Sequence, residues 1–199
     1  MFAPKTFIPA KLPWFIAVGL VFAASCTRPS EHKSLVAPPP ATSSADQTLT
    51  GRVVSIADGD TVTVLGADNA QSRIRLSGID APESHQAFGT QAKKNLSELV
   101  FGKDVTVIYQ KTDQYGRLVG KIIVEGKDVN LAQVKAGMAW HYKEYQREQT
   151  PEDRELYARA EEEARAQHRG LWQDSNPVEP SQFRREQREE RRSKSATEN

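Results

Sequence analysis

The chain has 199 residues, which is enough for one ordinary domain with additional segments. Its formal net charge is +1, with 27 basic and 26 acidic residues, and this balance argues against a protein that binds nucleic acid through a strong overall positive charge. The single cysteine, Cys26, excludes an intramolecular disulfide. Any affinity for phosphate must therefore come from local clusters of Arg and Lys or from a bound cation.

Residues 1–25 are predicted to be a lipoprotein-type export signal. Lys5 and Lys11 form a basic start, and the apolar run 14–24 is shorter than the ~20 residues with which a helix spans a bilayer. Small residues stand directly before Cys26, although the third position before it is Ala where such signals usually have Leu. We expect cleavage before Cys26 and lipid on its sulfur. The alternative is ordinary cleavage nearby, which leaves an unmodified cysteine and a secreted protein.

Residues 26–47 are rich in Pro, Ser, Thr and Ala, with three consecutive prolines at 38–40. Such a segment cannot bury enough apolar surface to offset the entropy lost on ordering, so it is predicted to be a flexible tether. After a lipidated cysteine, this tether would hold the following domain away from a membrane. The protein is expected to be an exported cell-envelope lipoprotein, on the outer-membrane or periplasmic side if the cell is Gram-negative.

A folded domain is predicted over residues 48–174, where short β-branched runs alternate with turn residues. The runs predict five strands, at residues 53–56, 62–64, 74–76, 105–109 and 118–124. Turn signals at 58–59 and 66–69 join the first three strands into a meander.

Helical spacing predicts three helices, at residues 87–101, 128–136 and 150–168. Leu156, Ala160 and Ala164 are predicted to face inward on the third helix. Five strands with a helix after the third predict a mainly β, α+β fold, a five-stranded OB-fold barrel with three helices.

Residues 175–199 form a charged C-terminal segment in which five Arg and one Lys stand against three Glu between Arg184 and Lys194. The ordinary interpretation is a solvated tail or a frayed helix. The alternative is a weak arm that binds polyanions.

Charged residues of the kind that act on phosphodiesters cluster at the end of the third strand, in the stretch IRLSGIDAPE at 74–83. Arg75 could grip a phosphate with its guanidinium fork, while Asp80 and Glu83 offer oxygen ligands for Ca²⁺ or Mg²⁺. Asp60 lies upstream, just after the tight turn at 58–59. Taken singly, each Asp is more often a turn former and Arg75 more often a structural ion-pair partner.

A second candidate group lies in DQYGR at 113–117, where Tyr115 and Arg117 are predicted at a hairpin tip. A solvated Arg is the default at such a position. Each charged residue of the two groups thus has an ordinary explanation. None of these explanations accounts for the presence of all of these residues together in this order.

The motifs DGDTV at 58–62, RLSGIDAPE at 75–83, DQYGR at 113–117 and VNLAQVKAGMAW at 129–140 closely resemble the staphylococcal nuclease (thermonuclease) family. Gly170-Leu171-Trp172 and the segment 180–185 resemble its bacterial exported members. The similarity covers roughly residues 49–185. It implies an OB-fold barrel and Ca²⁺-dependent cleavage of DNA or RNA phosphodiesters, with Mg²⁺ the less favoured metal.

The resemblance also implies metal ligands. Asp60 and Asp80 would bind Ca²⁺ directly, and Ala81 would contribute its backbone carbonyl. Glu83 would contact the metal through a water molecule. Asp58 would lie nearby without binding the metal.

The same resemblance implies three catalytic side chains and a substrate contact. Glu83 would orient or deprotonate the attacking water, and Arg75 and Arg117 would hold the phosphate and neutralise its transition state. Tyr115 would touch a phosphate or a base. The loop 84–89 is shorter than in the best-known member, which leaves endo or exo action open.

Three aromatic residues after Trp140 could stack on bases, namely His141, Tyr142 and Tyr145. We therefore expect an exported, lipid-anchored, monomeric nuclease whose substrate is nucleic acid. Two alternatives are a catalytically weak OB-fold lipoprotein that binds nucleic acid without cutting it, and an envelope lipoprotein with a structural role. The retention of Arg75, Glu83 and Arg117 favours the enzyme.

Overall fold

Residues 46–197 are described by the computed structural model of this protein, so the predicted export signal, Cys26 and most of the predicted tether lie outside the described residues. The strands are β1 (Gln47–Ile56), β2 (Thr61–Gly66), β3 (Gln71–Leu76), β4 (Ile79–Asp80), β5 (Asp104–Thr112), β6 (Leu118–Val124), β7 (Lys127–Asp128) and β8 (Trp140–His141). The α-helices are α1 (Gly89–Val100), α2 (Val129–Lys135), α3 (Pro151–Ala166) and α4 (Pro180–Thr197), and short 3₁₀ helices occupy Lys143–Glu148 and Gly170–Gln173.

A closed barrel forms the centre of the fold. The strands β1, β2 and β3 make the predicted antiparallel meander, β1 also pairs with β5, and β5 pairs with β6. The barrel closes because β3 and β6 pair in parallel, with Ile74 opposite Leu118. The predicted OB-type α+β fold is therefore confirmed. Strand β1 begins at Gln47, the last residue assigned to the tether.

The barrel interior is filled by β-branched residues and covered at one end by α1. Val62, Val64 and Ile74 are fully buried, as alternation along their strands requires. Helix α1 buries Ala92 and Leu96, which lie four residues apart and therefore on one helical face. Burial of each large apolar side chain contributes roughly 1.5–3 kcal/mol, so this layer fixes the strand ends that carry the polar residues.

The inward stripe of α3 differs from the prediction at one position. Leu156 is 45% exposed, whereas Tyr157 is buried together with Ala160 and Ala164. The Tyr157 hydroxyl donates a hydrogen bond of 2.8 Å to Asp128 Oδ2. The larger ring, with a partner for its polar tip, thus takes the inward position and turns Leu156 to the surface.

Two buried amide side chains of α2 connect this helix to the strand ends. Asn130 donates to the carbonyls of Ser77 and Gly120, at 2.9 and 3.2 Å, and accepts from the Ile122 amide at 3.1 Å. Gln133 donates to the Gly59 carbonyl at 2.7 Å. Because these amides bond to backbone, they hold the β1–β2 turn and the β3–β4 turn at fixed distances from α2.

The C-terminal segment that sequence analysis assigned to a charged tail forms α4 and contacts the barrel through its first turns. Pro180 is buried and Phe183 is half-buried. None of the helices within residues 46–197 combines the length and the apolar character needed to cross a bilayer.

Candidate functional site

A cleft of about 830 Å³ opens beside the ends of β3 and β4. The predicted site residues of the described region all line it: Asp58, Asp60, Arg75, Asp80, Ala81, Glu83, Tyr115 and Arg117. The structure thus brings the two groups of charges recognised in the sequence to one surface. Their assigned roles remain predictions.

Arg75 lies between two buried carboxylates. Its Nη1 is 3.2 Å from Asp60 Oδ2, and its Nη2 donates to Asp80 Oδ1 at 2.8 Å. Nη1 also donates to the carbonyls of Leu76 and Ile79, both at 2.9 Å. These hydrogen bonds use three of the five N–H donors of a guanidinium, so Nε–H and one Nη2 hydrogen have no partner in the described part of the chain.

Asp60 is held on the floor of the cleft by the turn that precedes β2. Its Oδ2 accepts the Ala81 amide at 2.8 Å, and its own amide donates to Asp58 Oδ1 at 3.0 Å. Burial raises the pKa of Asp60 to about 7, because the opposing effect of Arg75 is smaller and the charges of Asp58 and Asp80 add to the rise. Neighbouring groups therefore compensate only part of the negative charge that Asp60 carries when it is ionised.

The backbone between Asp80 and Glu83 is fixed by close packing. Strand β4 pairs with β8, and this pairing places Asp80 opposite Trp140. A Cβ on Gly89 would lie 2.0 Å from the Glu83 carbonyl oxygen, so only glycine allows α1 to begin so near this loop. The Gln86 side chain also accepts the Glu83 amide at 3.1 Å. Glu83 is consequently presented from a well-supported turn.

Arg184 of α4 is a site residue that sequence analysis did not identify. It donates from Nη2 to Asp80 Oδ2 at 2.9 Å and from Nη1 to Glu83 Oε1 at 2.8 Å. Burial alone would lower the pKa of Arg184, but the hydrogen bonds to the two carboxylates raise it above its ordinary value. The available signal was the helical spacing of Arg184, Arg188 and Arg191, which places the three residues on one face of a helix.

Arg117 lies on the opposite wall and is paired within its own hairpin tip. It donates from Nε to Asp113 Oδ2 at 2.8 Å, and its Nη2 is 2.7 Å from the same oxygen. The guanidinium lies 5.4 Å from the centre of the Tyr115 ring, and that ring is 70% exposed. The structure therefore holds Arg117 at the edge of the cleft, with Tyr115 beside it. Arg117 and Arg75, both within the described residues 46–197, do not contact each other directly.

The aromatic residues after Trp140 divide into two groups. Tyr142 and Tyr145 line the cleft, with ring centres 4.9 Å apart, and remain candidates for base stacking. His141 is only 4% exposed, and its Nε2 lies 2.8 Å from Gln149 Oε1. The expectation that His141 could stack on a base is wrong, because pairing of β4 with β8 turns its ring into the fold towards Tyr157.

The residues present fit a hard divalent cation with few protein ligands. Asp58, Asp60, Asp80 and Glu83 bring four carboxylates to the cleft, and oxygen is the donor that Ca²⁺ and Mg²⁺ prefer. Within residues 46–197, no three His, Cys, Asp or Glu side chains are arranged as a ready metal site. Ala81 contributes its amide to Asp60, and its carbonyl stays a predicted ligand.

Comparison with known proteins gives consistent matches. The sequence model described as "Staphylococcal nuclease homologue" matches residues 73–174. The chain is 45% identical over 139 residues to an "Uncharacterized endonuclease" of Haemophilus influenzae, which covers 70% of this chain and 75% of the relative. It is 44% identical over 147 residues to "Protein ParB" of Escherichia coli, covering 69% and 80% of the two chains. It is 41% identical over 144 residues to a "Micrococcal nuclease" of Shigella flexneri, covering 68% and 80%.

Proposed function

This chain belongs to the staphylococcal nuclease family, and we propose that it is a Ca²⁺-dependent nuclease that hydrolyses phosphodiester bonds of DNA or RNA. The observation that carries the proposal is the position of Arg75. Its guanidinium is fixed by Asp60, Asp80 and two carbonyls, yet keeps two donors free in the cleft that also holds Glu83. A guanidinium group held in one orientation is suited to bind a phosphate whose negative charge increases in the transition state.

The metal is proposed to bind next to Arg75. Asp60, Asp80 and the Ala81 carbonyl would hold it directly, and Glu83 would reach it through water. When bound, a divalent cation supplies positive charge that polarises a phosphoryl oxygen. The four carboxylates of Asp58, Asp60, Asp80 and Glu83 and the raised pKa of Asp60 support a divalent cation at this place.

Glu83 is proposed to activate the attacking water. Its Oε1 accepts from Arg184, and its Oε2 has no hydrogen-bond partner within residues 46–197. Oε2 can therefore accept the proton of a water as the new O–P bond forms. The P–O bond to the leaving oxygen then breaks, and that oxygen takes a proton from solvent.

The two arginines are proposed to act on the phosphate from opposite sides. Arg75 would donate its free hydrogens to the non-bridging oxygens. Arg117 would turn from Asp113 towards the leaving oxygen, a movement confined to one hairpin tip. Tyr115 lies beside Arg117 and would contact the adjacent nucleotide.

Single-site variants test this assignment. Arg75→Ala and Glu83→Ala should each lose most cleavage of single-stranded DNA in Ca²⁺ while remaining folded by circular dichroism. Arg52→Ala and Glu98→Ala are matched controls, because both residues are exposed and neither lines the cleft. Cleavage that survives both site substitutions would remove the site assignment.

A second candidate is a nucleic-acid-binding protein with weak or no cleavage. The observation in its favour is Arg184, which occupies both oxygens of Asp80 and one of Glu83 with its own donors. Retained DNA binding without cleavage in any divalent metal would favour this function over the nuclease.

Export and anchoring are proposed from the sequence alone. Cleavage before Cys26 and lipid on its sulfur would tether a monomeric domain to the cell envelope. Cys26→Ala should then move the protein from the membrane fraction to the soluble fraction, and unchanged fractionation would contradict the anchor.

A further inference from the structure

Helix α4 separates its charges by sign around its axis. At about 100° per residue, Arg188 and Arg191 fall within about 40° of Arg184. By the same rotation the acidic residues of the helix fall on the opposite side, and they are Glu186, Glu189 and Glu190. A helix that served only as a solvated tail would not need this separation. We call the row Arg184, Arg188 and Arg191 the arginine stripe.

Contacts at the start of α4 fix the direction of the arginine stripe. Pro180 is buried, and Gln86 Nε2 donates to the Val178 carbonyl at 2.6 Å, just before the helix. Arg184 then binds Asp80 and Glu83. Two separate attachments, one on each side of the first turn, hold the helix against the loop that carries the proposed catalytic carboxylate.

The arginine stripe lines a groove that continues the cleft. This groove, of about 380 Å³, has Glu83, Ser84 and His85 on one side and α4 on the other. Glu83, Arg184 and Arg188 line both the groove and the cleft, so the two spaces adjoin at the proposed reaction centre. Beyond Arg184, the groove wall is formed by the rest of the stripe.

The outer arginines of the stripe keep their charge available. Arg188 is exposed and makes no ion pair in the part of the chain that the structure describes. Arg191 donates only to the neutral Gln187 Oε1, at 3.2 Å. Lys194, which lies off the stripe, is by contrast paired with Glu190 at 2.7 Å. Within residues 46–197, Arg188 and Arg191 therefore face the groove without an ion-pair partner.

We propose that the arginine stripe of α4 binds the phosphates of a single nucleic-acid strand as it leaves the reaction centre. The proposal rests on the proposed nuclease function for the position of the scissile phosphate, and it adds a binding surface outside the barrel. From Arg184 to Arg191 the helix rises about 10 Å, which corresponds to roughly three stacked nucleotides at about 3.4 Å each. Guanidinium groups at this spacing can each bind a successive phosphate.

Binding of labelled oligonucleotides to the full chain tests the proposal. Fluorescence anisotropy would compare Arg188→Ala/Arg191→Ala with wild type in chelator, using a single-stranded DNA of about 12 nucleotides and a phosphorylated dinucleotide. We expect roughly tenfold weaker binding of the longer strand and a salt slope smaller by about 1.4, from two lost contacts at about 0.7 each. The preference for the longer strand over the dinucleotide should shrink. Arg184 is left intact because it binds Asp80 and Glu83.

The matched control is Arg185→Ala/Arg192→Ala, which removes the same charge from the same helix. Neither of these residues lines the groove or the cleft, so oligonucleotide affinity should stay within about twofold of wild type. Equal losses of oligonucleotide affinity in the two double variants would show that the effect depends only on net charge, and this result would overturn the proposal. Unchanged binding in Arg188→Ala/Arg191→Ala would overturn it as well.

A membrane surface is the competing partner for an arginine-rich helix, and the same variants decide between them. Sedimentation with vesicles of phosphatidylglycerol and phosphatidylcholine would be run in parallel. Loss of vesicle binding with unchanged oligonucleotide binding would assign the stripe to a membrane and overturn the proposal.

Cleavage of DNA by the wild-type protein is measured separately. Weakened strand binding without any cleavage would support the arginine stripe while removing the nuclease function.

Discussion

Arg184 Nη2 lies 2.9 Å from Asp80 Oδ2, and this ion pair joins residues 104 positions apart in the chain. The other oxygen of Asp80 accepts from Arg75 at 2.8 Å and from Arg184 at 3.2 Å. Both oxygens of a proposed metal ligand are thus engaged by guanidinium groups. A metal ion that binds Asp80 must share or displace one of these bonds, and Arg184 is the partner on the more exposed side.

Removal of Arg184 should therefore strengthen metal binding. In Arg184→Ala, Asp80 and Glu83 lose a positively charged neighbour, so we expect Ca²⁺ affinity to rise several-fold by isothermal titration calorimetry. Arg185→Ala removes the same charge one residue further along α4 and should leave the affinity near wild type. Equal or weaker binding in Arg184→Ala would show that this guanidinium does not compete with the metal.

The buried carboxylate of Asp60 should make the metal-free protein less stable at higher pH. Its pKa is raised from 3.8 to about 7 by burial, so its stabilising contribution is complete below about pH 4 and is lost as the pH rises through 7. We expect the urea midpoint in chelator to fall between about pH 5 and pH 8, and to fall less in Asp60→Asn. Asp104→Asn, an exposed control on β5, should retain the wild-type slope. An identical slope in Asp60→Asn would remove this explanation.

The fold of the barrel follows from the sequence because its causes are local. Alternation along β2 and β3 placed Val62 and Ile74 inside, and a hydroxyl before Pro151 marked the start of α3, where Thr150 caps the Asp153 amide. The proximity of Asp60, Arg75 and Glu83 could also be predicted from the sequence, because their motifs flank adjoining strands.

The contacts that escaped sequence analysis depend on distant parts of the chain. No local pattern reveals that Arg184 reaches Asp80 or that Asn130 bonds to Ser77. Leu156 and Tyr157 are both suitable for an inward position, and only the distant carboxylate of Asp128 decides between them. His141 was misassigned for the same reason, because pairing of two-residue strands has almost no sequence signal.

The buried amide of Asn130 should contribute substantially to stability. Asn130→Leu has a similar shape but leaves the Ser77 carbonyl and the Ile122 amide without the Asn130 side chain as partner. The Gly120 carbonyl keeps the hydrogen bond from the Ser77 amide at 2.8 Å. At about 1–3 kcal/mol for each unpaired buried group, we expect a loss of at least about 2 kcal/mol in urea unfolding. Gln91→Leu, on the exposed face of α1, should stay within about 0.5 kcal/mol of wild type. If Asn130→Leu also stayed within about 0.5 kcal/mol of wild type, the β3–β4 turn would not depend on this residue.

The exposed ring of Tyr115 should contribute to substrate affinity without supporting the fold. It is 70% exposed and lies beside Arg117, so Tyr115→Ala should weaken oligonucleotide binding by about 1–3 kcal/mol if a base stacks on it. Phe101→Ala provides the control, because this ring is 56% exposed and lies outside the cleft. Equal affinities for the two variants would exclude stacking at Tyr115.

The central claim is that the cleft with Arg75, Asp80 and Glu83 hydrolyses phosphodiester bonds with the help of a metal ion. The most direct measurement is digestion of an end-labelled single-stranded DNA by wild type and Glu83→Gln, each in Ca²⁺, in Mg²⁺ and in chelator. We expect shortened products from wild type in Ca²⁺, almost none in chelator, and a loss of at least about a hundredfold in Glu83→Gln. Intact DNA with wild type under every condition, or equal cleavage by Glu83→Gln, would contradict the claim.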